Sequence, residues 1–151
     1  EAARAIIEPI RSRVEEERAQ GAAIFFTQDT HAADDKEFEM FPPHCISGTE
    51  DHELLEELAS LVADAMVIQK RRYSALFETD LAKRLLALNP ETIVVMGDCT
   101  DICVLHTVAD LRNRDYAVEV PADCVASFDP EQHTWALDHM EKILGARITQ
   151  R

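Results

Sequence analysis

The run Ile93-Val94-Val95-Met96-Gly97-Asp98-Cys99-Thr100-Asp101-Ile102-Cys103-Val104 decides the fold. Its first four residues form a strand-sized apolar stretch, and Gly97 opens a short turn. Beyond the turn, Val104, Val108 and Leu111 recur at i, i+4 and i+7. Leu105 and Ala109 widen that stripe, and Arg112 and Arg114 face away, which predicts a helix. Thr100 and Asp101 are its expected caps. A buried strand feeding a turn and then a helix places Cys103 at the helix's positive end, where free backbone N–H groups favour thiolate over thiol. Cys103 is therefore a candidate nucleophile for carbonyl carbon, against the plainer reading of a small buried hydrophobe.

The same alternation extends in both directions. Helical material covers about Ala2 to Gln20, with Ile6, Ile10 and Val14 four apart, Pro9 opening or kinking the helix, and Gly21 ending it. Ala22 to Thr27 reads as a buried strand, and Gln28 to Glu50 as a long loop. A helix follows on Leu54, Leu55, Leu58, Leu61 and Val62, capped by Thr49, and then a strand at Ala65 to Ile68. Leu81, Leu85 and Leu88 mark a helix ended by Asn89-Pro90, before the strand Thr92 to Met96. Ala117 to Val120 is a strand, Leu137, Met140 and Leu144 a last helix closed by Gly145, and Ala146 to Thr149 a terminal strand. Strands alternating with helices predict a single doubly wound α/β domain over 1–151, three layers deep, with a mostly parallel sheet. Ligands in such sheets sit beyond the carboxyl ends of the strands. Three polar clusters fall there: Gln28 to His31, Gln69 to Tyr73, and Gly97 to Cys103.

Composition narrows the partners. At 151 residues and 46% hydrophobic, the chain can fill one core, and a formal charge of −14 from 29 acidic and 15 basic residues opposes nucleic acid or an anionic membrane. Apolar stretches are strand-sized, with no export signal or membrane span, so the expected compartment is the cytoplasm. Cys45, Cys99, Cys103 and Cys124 are then expected to be reduced.

Asp29-Thr30-His31, with His44 later in the same loop, offers a carboxylate and two imidazoles, a three-ligand set for a divalent metal with open positions. The alternative is ordinary loop polarity. Lys70 ends a strand, where an ammonium group can stabilise a thiolate and a developing oxyanion. Arg71 and Arg72 beside it suggest instead a solvated, charge-balancing turn. Cys99 and Cys103 are four apart, the wrong gap for a redox pair or zinc knuckle. His52 is expected to be solvated, and His106, His133 and His139 structural or exposed.

In this order, Asp29-Thr30-His31, Phe-Pro-Pro-His-Cys-Ile-Ser-Gly-Thr at 41–49, Lys70 with Tyr73-Ser74-Ala75-Leu76-Phe77, Thr79-Asp80-Leu81 and Cys-Thr-Asp-Ile-Cys-Val at 99–104 resemble the nicotinamidase and isochorismatase-like cysteine hydrolases over nearly the whole chain. The resemblance implies hydrolysis of a small amide, such as nicotinamide, through a thioester on Cys103. Lys70 would assist, and the backbone N–H groups of Cys99 and Cys103 would form the oxyanion hole. It also implies a cis peptide between Asp98 and Cys99, and a divalent ion (Zn, Mn or Fe) on Asp29, His31 and His44. Phe41 would line an aromatic slot beside Tyr73 on the substrate, and the chain would form a homo-oligomer. The His44-Cys45 pair favours the metal-binding, nicotinamidase-like branch.

Two departures accompany the resemblance. The family's general-base aspartate, at the end of a central first strand, has no counterpart here. The chain begins Glu1-Ala2-Ala3-Arg4, already helical in character, so an upstream piece is expected, and without that strand the sheet should show a gap with two unpaired flanks. Asp98 stands where an apolar residue is more usual. The competing readings are a metal-free hydrolase of another small substrate in the same fold, and a non-catalytic member that lacks the base.

Overall fold

A computed structural model describes residues 2–62 and 65–150. In chain order these form α1 (Ala2–Ala5), α2 (Ile7–Ala19), β1 (Phe25–Asp29), α3 (Ala59–Val62), β2 (Met66–Lys70), α4 (Leu81–Leu88), β3 (Ile93–Val94), β4 (Gly97–Asp98), α5 (Leu105–Arg112), β5 (Val118–Pro121), β6 (Val125–Ala126), α6 (Pro130–Lys142) and β7 (Arg147–Thr149). Every strand pairing is parallel: β1 with β2, β3 with β5, β5 with β7, and β4 with β6. Among the described residues no helix is long and apolar enough to cross a membrane.

Strand alternation assigns the faces. Val118 and Val120 of β5 join Leu85, Val108, Leu111 and Met140 in the main core, so α4, α5 and α6 cover that side. Glu119 between them points to the other face, where it meets Arg13 of α2 at 2.7 Å. The doubly wound α/β reading holds. Pro9 sits in the first turn of α2, where its missing N–H forfeits no helical bond. Asp129 caps α6 by accepting from the Glu131 N–H, with Pro130 at the first helical position.

Boundaries shift in places. The helix expected over Leu54 to Val62 shrinks to a 3-10 turn at Glu56–Leu58 and the single turn α3, with Leu54 and Leu55 exposed. The strand expected over Thr92 to Met96 breaks at Val95 and Met96, dividing into β3 and β4. β6 was not marked by the periodicity. The residue Glu1, read as helical, lies outside the described residues.

Phe25, Thr27 and Asp29 of β1 on one side, and Val94 and Met96 on the other, border a cavity of about 730 Å³. On β1, the bonds from the Met66 N–H to the Ile24 carbonyl and from the Thr30 N–H to the Lys70 carbonyl show that even-numbered residues face β2. Odd-numbered ones therefore turn their backbone groups to the slot. Ile93 and Val95 bond to the Ala117 and Glu119 carbonyls, which leaves Val94 and Met96 facing the same space.

Candidate active site

The carboxyl ends of β1, β2 and β4 converge as expected, bringing Asp29, Lys70 and Cys103 to one end of the cavity. Lys70 is buried, and its three donors are all directed. The Nζ donates to the Asp29 carboxylate, to the Arg72 carbonyl at 3.1 Å and to Cys103 Sγ at 3.6 Å. Burial alone would lower its pKa, but the adjoining Cys103 and Asp29 outweigh that and raise it, so the ammonium stays charged.

Cys103 sits in a π-type turn over Thr100–Val104 that leads into α5. The expected capping by Thr100 and Asp101 does not occur, since Cys99 holds the cap position and makes no side-chain bond. Thr100 instead bonds His133 at 2.8 Å, and Asp101 accepts from the Ser127 hydroxyl, because α6 and β6 pack directly on the turn. Burial pushes the Cys103 thiol above its ordinary range despite Lys70 and the Cys99 N–H, which pull it down. The lowered thiol expected from the helix end is thus corrected: desolvation outweighs the local positive charge. Cys99 is buried and its thiol is pushed up to about 12, foremost by burial, so its side chain stays protonated. The Asp98–Cys99 peptide is cis, as the resemblance implied.

A second cluster adjoins. His31, Glu37 and His44 place one potential ligand atom each within 4.8 Å of one another, with His31 and Glu37 buried and His44 half-buried. Glu37 Oε1 lies 3.8 Å from His31 Nε2 and 3.9 Å from His44 Nε2. The Nδ1 atoms are engaged elsewhere: His31 with Asp35 at 3.2 Å, and His44 with the Pro42 carbonyl at 2.8 Å. Both Nε2 atoms therefore face the glutamate. His31 Nε2 is buried without a hydrogen-bond partner among the described residues, a lone pair that a divalent cation satisfies, and Glu37 Oε2, also without one, lies 3.6 Å from Arg72 Nη1.

Asp29 takes a different place from the one expected. Its carboxylate holds Lys70, and Glu37 stands as the third member of the cluster. The backbone explains the recruitment of Glu37, since Asp35 caps a 3-10 turn over Lys36–Glu39 by accepting from the Glu37 N–H at 2.9 Å, turning the side chain inward. Nothing in the local sequence marks Glu37 apart from its neighbour Glu39. The His31 N–H bonds the Cys45 carbonyl and the Ser47 N–H bonds the His31 carbonyl, which fixes both ends of the loop. Phe41 packs edge-on to His44 at 5.3 Å, beside Phe38, and the Tyr73 ring lies 5.3 Å from His106. His52 is engaged with Thr30 at 3.0 Å rather than solvated, and His139 stacks on Trp135.

The parallel sheet thus carries at its strand ends a buried lysine against a cysteine on a strand–turn–helix. The isochorismatase domain model matches residues 1–151, and the chain belongs to that family and is an amide hydrolase by class. Among its relatives is the isochorismatase family protein PncA of Bacillus subtilis, 35% identical over 159 residues, covering 99% of this chain and 87% of the relative. The crystal structure of nicotinamidase/pyrazinamidase PncA from Bacillus subtilis superposes with a TM-score of 0.92 at 38% identity, covering 99% of this chain and 86% of that one. Pyrazinamidase/nicotinamidase from Streptococcus mutans UA159 gives 0.92 at 39%, over 99% and 87%. Pyrazinamidase of Pyrococcus horikoshii, in complex with zinc, gives 0.85 at 28%, over 97% and 85%.

Proposed function

We propose that this chain hydrolyses a small aromatic carboxamide of the nicotinamide type, releasing ammonia and the acid. The observation that carries this reading is the Lys70 ammonium 3.6 Å from Cys103 Sγ, at the end of a cavity bordered by Asp29. The Cys103 sulfur bonds to the amide carbon, whose electron pair moves onto oxygen, and backbone N–H groups of the turn receive that oxyanion. Collapse expels the nitrogen, which takes up the proton given up by the Cys103 thiol and leaves as ammonia. Water then cleaves the thioester, giving the carboxylic acid and restoring the thiol. Lys70 stabilises negative charge at the sulfur as the thiol gives up its proton and again as the thioester is cleaved, and Asp29 keeps Lys70 aimed.

His31, Glu37 and His44 form an N₂O donor set suited to zinc. Bound there, the ion would supply a Lewis-acidic contact for a ring nitrogen or a water molecule. Phe41, edge-on to His44, and Tyr73, beside His106, are the aromatic residues that the resemblance implies for contact with a flat substrate. Purified protein is expected to convert nicotinamide to nicotinic acid with stoichiometric ammonia, with Cys103→Ala inactive. Turnover unchanged in that variant would refute the thioester route. Full activity in metal-stripped protein would favour the metal-free alternative.

A further inference from the structure

Lys70, Arg71 and Arg72 read in sequence as one solvated cationic turn, but the structure separates them. Arg71 faces outward to Glu78 at 2.9 Å. Arg72 turns inward, where its Nη1 donates to Asp35 Oδ1 at 2.8 Å and lies 3.6 Å from Glu37 Oε2. Both carboxylate side chains are almost wholly buried, at 7% and 3% exposure, whereas the guanidinium reaches them from a partly open position at 24%.

Two buried carboxylates two residues apart repel each other and need a counter-charge, because water cannot solvate them there. Arg72 supplies it to both, and the geometry gives each oxygen a separate task. With one oxygen on Arg72, ionised Asp35 presents Oδ2 as a pure acceptor to His31 Nδ1 at 3.2 Å. Nδ1 must then carry a proton, so a ring that binds a cation does so through the lone pair on Nε2. Nε2 is the buried, unpartnered atom facing Glu37. On Glu37, Arg72 stands at Oε2, which leaves Oε1 toward both imidazoles.

We propose that Arg72 is a positioning residue of the His31–Glu37–His44 cluster: through Asp35 it fixes the His31 tautomer, and through Glu37 Oε2 it fixes the carboxylate, so that three lone pairs meet at one divalent cation. The inference rests on reading that cluster as a metal centre. Outer partners of this kind tune affinity by about 10–100-fold in metal sites generally.

The test is zinc affinity of the full chain by competition with a chromophoric chelator, together with the visible spectrum of the cobalt(II)-substituted protein. Arg72→Met is expected to weaken zinc binding by about 10–100-fold and alter the cobalt bands, with Arg72→Lys recovering part of the loss. Asp35→Asn, which keeps the shape and removes the charge, is expected to weaken zinc comparably, and it serves if Arg72→Met does not fold. Arg71→Gln is expected to leave affinity unchanged. Zinc uptake that is the same in the unaltered chain, Arg72→Met and Asp35→Asn overturns the inference alone. Failure of the unaltered chain to take up zinc overturns the metal-centre reading and the inference with it.

Discussion

Lys70 and Cys103 meet across the strand ends with Nζ 3.6 Å from Sγ, and the same ammonium is held from behind by Asp29. The pair is a point charge beside a nucleophile, with the ammonium itself buried. Replacing Lys70 by Met keeps the stem and removes the charge. It is expected to lower kcat on nicotinamide by about 10²–10³-fold with a smaller change in KM, measured by ammonia release. A kcat within a factor of two of the unaltered protein would remove Lys70 from the chemistry.

The direction of the Cys103 shift gives a pH prediction. Burial raises the thiol above its usual value, so the thiolate fraction at neutral pH is smaller than for an exposed cysteine and grows as pH rises. Alkylation of Cys103 by iodoacetamide is expected to reach half its limiting rate above about pH 8.5, the ordinary thiol value. Because Lys70 pulls the thiol down, Lys70→Met should move that midpoint higher still. A midpoint well below the ordinary value would contradict the balance of burial over charge.

What the sequence discloses follows from the range of the interactions. Val108 and Leu111, or Val118 and Val120, are legible because their partners recur at fixed helical or strand periods. Cys103 is legible because it follows a strand and turn at the start of a helix, and Lys70 because it ends a strand. Glu37 and Arg72 are not, because their roles come from a pairing 35 residues apart that no local period encodes. The break at Val95 and Met96 is likewise invisible in an unbroken apolar run. Asp29 shows the converse, a residue in the right cluster whose side chain turns to a different neighbour.

The two candidate ligand sets are separable by mutation. If Glu37 completes the cluster with His31 and His44, Glu37→Gln should lower zinc affinity at least about 10-fold, whereas Asp29→Asn should act mainly on kcat through Lys70. Zinc competition and ammonia assays on both variants decide the matter. Loss of zinc in Asp29→Asn with retention in Glu37→Gln would restore the aspartate as the ligand.

Glu119 predicts where acid begins to loosen the fold. Its side chain is buried on β5 and bonded to Arg13, Arg147 and Thr149, which ties α2 and β7 to the central strand. Burial alone would raise the carboxyl, but Arg13 foremost, with Thr149 and Arg147, holds it below its usual value of 4.5. A depressed native value means that the unfolded chain binds the proton more readily. The stabilisation is therefore present above about pH 4.5 and lost as pH falls through the native value. Glu119→Gln takes the charge from the partner of Arg13, which among the described residues keeps only Glu17 at 2.7 Å, and should cost about 1–3 kcal/mol at pH 7, read from urea midpoints. At pH 3 the gap between variant and unaltered protein should shrink, because the carboxyl is then being neutralised in both the folding equilibrium and the substitution. A gap that widens toward acid would show that the carboxylate is strained rather than stabilised by its three partners.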